Sequence, residues 1–281
     1  MDREIRSWRK SKPVMEGAGV HLKRAFGFGD PQEADPFLLL DDFRGKKPSD
    51  YQKGFPWHPH RGIETITYIL KGKVEHQDSM GNKGVIGAGD VQWMTAGRGI
   101  IHQEMPAGAE DGELEGFQLW ANLPAKNKLM KPRYQEVASS AIPVKVLEDG
   151  SSIRVICGRW DTVGGPVEDI MTDPDYLDVT LAPGADLWHK IPGGKNAFAY
   201  VIDGQGRFGE SAVLGNETLA FFTDGDRLRL RAEKNHPFRF LLCTGLGLGE
   251  PVAWHGPIVM NTRDELVNAF QELEKGTFLG E

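Results

Sequence analysis

The chain has 281 residues, 40% of them hydrophobic and 26% charged, and its 33 Lys and Arg against 40 Asp and Glu leave a net charge of −7. This is the balance of a globular protein of one large or two ordinary domains. With no long basic run, it excludes a bare surface for direct nucleic-acid or anionic-membrane binding. No stretch approaches the roughly 20 apolar residues of a membrane helix, and the charged start, MDREIRSWRK, lacks the apolar core of a signal peptide. The two cysteines, Cys157 and Cys243, lie in apolar strand-like runs. They read as buried thiols rather than a disulfide or zinc pair, which places the chain in the reducing cytoplasm.

In chain order, short β-favouring runs alternate with Gly, Pro, Asp and Asn. The first half carries ETITYIL, KVEHQD, GVIGAGD, DVQWMT and FQLWANL; the second carries YLDVTLAPG, AFAYVID, LAFFTDGD, RLRLRAE and FRFLLCTG. Many short strands at this spacing predict an all-β sandwich or barrel rather than βαβ units. The halves echo each other: Tyr68–Gly72 resembles Tyr200–Gly204, and Gly89-Asp90 resembles Gly225-Asp226. A duplicated β-domain accounts for both echoes, with the joint in the polar stretch from Leu123 to Pro143. One helix is predicted, at the end. Thr262-Arg263-Asp264-Glu265 is a capping-box pattern, Leu266, Val267, Phe270 and Leu273 form an apolar face, and Gly276 is the stop. That face needs a partner, expected on the outside of a barrel.

The chemistry concentrates in two short motifs. Residues i and i+2 of a strand share a face, so His58 and His60 in HPHRG project together, with Pro59 marking a strand edge or start. His102 and Glu104 in IIHQEM form a second such pair. Two pairs on neighbouring strands inside a barrel bring three imidazoles and a carboxylate to one point. Without thiolates, that donor set favours Fe, Mn, Ni, Cu or Co over structural zinc. His76 shares its face with Val74 and reads as packed, and Gly97-Arg98-Gly99 reads as a tight turn, with Arg98 otherwise a contact for an anionic ligand. Mapped through the Gly-Asp echo, His102 and Glu104 fall on Phe238 and Phe240, and through the tyrosine echo His58 and His60 fall on Lys190 and Pro192. The second barrel is therefore expected to be filled by aromatic packing. Gly204-Gln-Gly206 and the glycines from Gly245 to Gly249 read as turns, since neither opens a helix.

GFPWHPHRGIETITYILKGKVEHQDSMGN, GDVQWMTAGRGIIHQEMP, QLWANLPAKNKLMKPRYQ and EPVAWHGPIVMNTRDEL closely resemble the pirin family of the cupin superfamily. The resemblance spans nearly the whole chain. It implies a bicupin: two antiparallel jelly-roll barrels packed face to face, a metal-binding one over residues 1–130 and a metal-free one over 131–281 carrying the terminal helix. It implies one divalent transition metal, Fe(II) first, on His58, His60, His102 and Glu104. General cupins instead take a carboxylate ligand four residues after the second histidine, which here is Glu64; the pirin pattern favours Glu104, leaving Glu64 as a supporting acceptor. Pirin-like bacterial proteins include quercetin 2,3-dioxygenases, which open a flavonol ring with release of carbon monoxide. The implied activity thus joins a small aromatic substrate and O₂, with Glu104 as ligand and proton acceptor. Phe55, Trp93 and Met94 are either apolar walls for that substrate or core packing. The alternatives are an iron-dependent, redox-sensing regulatory protein that binds transcription factors or metabolic enzymes, and a bicupin whose metal serves folding only.

Overall fold

A computed structural model describes residues 1–29 and 31–280. The chain is 52% strand and 8% helical, and each of the ten runs predicted as strands forms one. Among the described residues no helix is long and apolar enough to cross a membrane.

The chain forms two compact units, each a seven-stranded sheet with a four-stranded one, and every pairing within these four sheets is antiparallel. In the unit that holds both histidine motifs, the larger sheet runs Arg133–Val137, Val91–Thr95, Ile63–Lys71, Glu115–Asn122, Phe37–Asp42, Val20–Phe26, Lys12–Glu16. Its smaller sheet runs Phe55–His60, Ile100–Ala107, Lys73–Asp78, Lys83–Ile86. Val20, Leu22 and Ile69 from the larger sheet pack with Val74 and Ile86 from the smaller. Two sheets closing on one apolar filling is the cupin jelly roll.

The other unit repeats the plan. Its larger sheet runs Ile5–Lys10, Thr218–Phe222, Lys195–Asp203, Phe238–Leu246, Asp175–Leu181, Ser152–Cys157, Val144–Val146; its smaller sheet runs Asp186–Lys190, Arg227–Ala232, Gln205–Phe208, Leu214–Gly215. Phe208, Phe238 and Phe240 are wholly buried, with ring centroids 4.9–5.4 Å apart. Each such ring contributes roughly 1.5–3 kcal/mol by leaving water.

The units differ from the division expected at residue 130/131. The first eleven residues belong with the second unit, where Ile5–Lys10 pairs with Thr218–Phe222, and the chain from Leu248 onward belongs with the first. There Ile258 bridges Arg61, and the C-terminal helix, Arg263–Glu274, packs with Ile258, Met260 and Ile101. The helix starts as predicted: the Thr262 hydroxyl accepts from the Glu265 amide while the Glu265 carboxylate accepts from the Thr262 amide. Its apolar face is shifted, because Ala269 is buried and Val267 is 45% exposed.

The repeated topology also corrects the mapping of the second half. By strand order the counterpart of Ile100–Ala107 is Arg227–Ala232, so its inward pair is Leu228 and Leu230, both wholly buried. Phe238 and Phe240 lie on the counterpart of Glu115–Asn122. The Gly-Asp echo misled because Gly225-Asp226 leads directly into this strand, whereas Gly89-Asp90 precedes the strand before it. The consequence is unchanged: the positions equivalent to the second histidine motif are apolar.

Candidate metal centre and its cavity

His58 and His60 end the strand Phe55–His60, and His102 lies directly across from His58 on Ile100–Ala107. Alternation turns His102 and Glu104 inward, both at most 4% exposed, while Ile101 and Gln103 are less buried. After His60 the chain reverses at Gly62, whose φ of +78° favours glycine, and a Cβ there would sit 1.9 Å from the Val259 carbonyl oxygen. Lys128 secures this turn, donating to Gly62 O, Val259 O and Asn122 Oδ1 at 2.7–3.1 Å. Burial lowers its pKa to about 7.

The three imidazoles bring one ring nitrogen each within 4.8 Å of one another, and His58, His60 and His102 are the metal-capable cluster among the described residues. His58 Nδ1 lies 2.9 Å from Pro56 O and His60 Nδ1 3.3 Å from Pro257 O. A carbonyl only accepts, so both Nδ1 atoms carry the proton and both Nε2 atoms present lone pairs. Those two Nε2 atoms are 3.1 Å apart, a repulsive pairing for neutral imidazoles that a shared cation relieves. Both ring nitrogens of His102 are buried without a hydrogen-bond partner among the described residues. Burial, followed by the neighbouring His58 and His102, pushes His60 well down, and burial takes His102 to about 4 against the pull of Glu104. His60 and His102 are therefore neutral, the state that ligates a metal. The donor set fits a divalent transition metal.

Glu104 stands apart from the trio. Gln118 Nε2 lies 3.2 and 3.3 Å from its two oxygens, and the Thr67 hydroxyl donates to Oε1 at 3.3 Å. Glu64 faces elsewhere. In uninterrupted pairing with Val91–Thr95, Thr67 points toward Glu104, so Glu64, three residues earlier, points to the opposite face. Its carboxylate accepts from Thr95 Oγ1 at 2.7 Å, and burial raises its pKa. Glu64 follows His60 by only four residues yet faces away, because the turn at Gly62 moves the chain from the smaller sheet to the larger. His76 is buried opposite Glu104, with Nε2 2.9 Å from Gln92. Arg98 is exposed on its turn, away from the cavity lining.

His58 and His60 open onto a cavity of about 390 Å³, within the usual range for small-molecule sites. Phe28, Leu39, Phe55 and Trp120 supply apolar walls, with Trp120 edge-on to His60 at 5.2 Å. Phe55 is thus a wall, whereas Trp93 and Met94 are core. The sequence reading missed Gln118, Thr67 and Asp41. They belong to one cross-strand row, Glu136, Gln92, Thr67, Gln118, Asp41, Arg24, running across six adjacent strands of the larger sheet. A polar residue at an inward position of an apolar strand, such as Gln118 in FQLWANL, was the available signal. Burial raises Asp41 to about 6 against the opposing pull of Arg24.

Residues 19–121 match the family described as Pirin, and residues 176–279 match the Pirin C-terminal cupin domain. A pirin-like protein of Caulobacter vibrioides is 43% identical over 270 residues, 96% of each chain. A Pseudomonas aeruginosa protein named "Putative quercetin 2,3-dioxygenase" is 41% identical over 280 residues, 98% of this chain and 97% of its own. The crystal structure of quercetin 2,3-dioxygenase from Acinetobacter baumannii matches with a TM-score of 0.91 at 32% identity, covering 99% of both chains. With both family regions matched and relatives this similar along nearly its full length, the chain belongs to the pirin family.

Proposed function

We propose that this protein is a non-haem metal dioxygenase acting on flavonols such as quercetin, opening the ring with uptake of O₂ and release of carbon monoxide. The observation that carries the reading is a cluster of three imidazoles, two of which, His58 and His60, line a largely apolar cavity. The quercetin 2,3-dioxygenase names of its relatives support it.

His58, His60 and His102 would hold the metal, Fe(II) in this reading, with Glu104 as the fourth ligand. The metal, when bound, supplies Lewis acidity toward a substrate hydroxyl and redox chemistry with O₂. The chain supplies the rest. Phe28, Leu39, Phe55 and Trp120 take up a flat aromatic ligand and displace water from the reacting end. Glu104 accepts the proton of the flavonol hydroxyl, and Gln118 and Thr67 hold its oxygens by hydrogen bonds that hand it no proton. The two cysteines, both buried and neither in a disulfide, accord with a cytoplasmic setting.

The test is anaerobic purification and metal analysis, then oxygen uptake and carbon monoxide release with quercetin. Stoichiometric consumption of both substrates by iron-loaded protein supports the reading; quercetin left intact under O₂ by fully loaded protein contradicts it.

A further inference from the structure

The cavity has one charged wall that the chemistry above leaves unused. Arg24 donates through Nε and Nη2 to the two oxygens of Asp41 at 2.8 and 2.7 Å, and its Nη1 lies 2.9 Å from Glu16 Oε1. Its guanidinium also lies over the Phe28 ring at 5.3 Å. All four residues line the cavity. Every guanidinium nitrogen is therefore engaged, and one cation against two carboxylates leaves the wall with an excess negative charge. That excess charge repels an anion. Its carboxylates keep lone pairs that accept from hydroxyl groups.

Its position relative to the histidines follows from register. Asp41 pairs with Gln118, and Trp120, two residues along the same face, packs against His60. One such step is ~7 Å, about the reach of a substituted aromatic ring. We infer, resting on the dioxygenase reading, that Asp41 and Glu16 select the ligand by accepting hydrogen bonds from phenolic hydroxyls at its end remote from the histidines. The favoured substrates are polyhydroxylated aromatics that carry no anionic group at that end.

The probes are quercetin, which has two hydroxyls on its outer ring, and galangin, which has none. Their dissociation constants are measured anaerobically on the metal-loaded full chain by quenching of intrinsic fluorescence. Hydrogen bonds to carboxylates of this kind give the wild type a preference for quercetin of about 10-fold or more. Asp41→Asn reduces that preference to within about 3-fold. Glu16→Gln, at a half-exposed position that tolerates the change, lowers it by about 3-fold without altering galangin binding. Thermal melts establish that each variant is folded, and Glu16→Gln decides the matter if Asp41→Asn is not. Equal binding of the two flavonols by the wild type, or an unchanged preference in a folded Glu16→Gln variant, overturns the inference. Quercetin bound preferentially but never oxidised would sink the dioxygenase reading and leave this selectivity standing. Failure to bind either flavonol would overturn both.

Discussion

The amide nitrogen of Gln118 reaches both carboxylate oxygens of Glu104, at 3.2 and 3.3 Å. Gln118 sits on the larger sheet and Glu104 on the smaller, so this contact fixes the carboxylate from the far side of the barrel. Gln118→Leu should leave the three histidines in place while loosening Glu104. Bound metal should persist, with affinity and turnover each down by about 10- to 100-fold, the usual scale for groups that orient a ligand. Metal titration and oxygen-uptake kinetics on the same sample check this; wild-type values for both would show that Gln118 does not position Glu104.

Metal content should be one equivalent per chain. The second unit has Leu228 and Leu230 where the first has His102 and Glu104, and its buried His189 stacks on Trp160 at 4.0 Å instead of joining a cluster. Elemental analysis of His60→Ala should find the site emptied in a folded chain, while His189→Phe keeps its metal. Two equivalents in the wild type, one of them lost in His189→Phe, would contradict this.

The same His189 makes stability depend on pH. Burial lowers its pKa from 6.5 to about 4, the nearby Asp175 and Asp161 only partly opposing. The unfolded chain takes up this proton below about pH 6.5 and the folded chain only near pH 4. The contribution is therefore complete above pH 6.5 and is lost as pH falls toward 4, at most roughly 3 kcal/mol. Urea denaturation at pH 7 and pH 5 should show His189→Phe, which keeps an aromatic stack, losing less stability than the wild type. An equal loss in both proteins would remove His189 as a source of acid sensitivity.

Arg61 should tie the C-terminal segment to the metal site. Its guanidinium donates to Glu272 and to the Phe278 carbonyl, both at 2.6 Å, and lies 4.1 Å over the Phe278 ring. The same segment supplies the Pro257 carbonyl that orients His60. Arg61→Ala should cost about 2–3 kcal/mol, the scale for losing charge-assisted hydrogen bonds, and expose the tail to proteolysis before the rest of the chain. Limited digestion and urea denaturation read the two effects; a tail as resistant as in the wild type would contradict the clamp.

Local chemistry made part of this legible in the sequence. The capping box at Thr262 and the inward pairing of His102 with Glu104 depend on residues within a few positions of each other, so periodicity and spacing report them. The pairing of Ile5–Lys10 with Thr218–Phe222 is set by contacts across most of the chain, and no local pattern carries it. The mapping onto Phe238 and Phe240 failed for a related reason: a repeated Gly-Asp turn marks a turn, not which strand follows it. The four-residue spacing from His60 to Glu64 does not report the change of sheet between them, which the turn at Gly62 makes. Gln118, Asp41 and Arg24 passed unnoticed because a polar residue in a strand is ordinary until register shows it pointing into a barrel.

In the proposed reaction the chemistry occurs at the histidine cluster, with Glu104 as both ligand and proton acceptor. The most direct test is bound metal per chain together with single-turnover oxygen consumption with quercetin in Glu104→Gln, Glu104→Ala and Glu64→Gln. The amide keeps the shape and a weak oxygen donor but accepts no substrate proton, so Glu104→Gln should retain appreciable metal and lose ~10²-fold or more in turnover. Glu104→Ala should lose both, and Glu64→Gln should come close to the wild type. An emptied site in Glu64→Gln alongside normal turnover in Glu104→Gln would contradict the account.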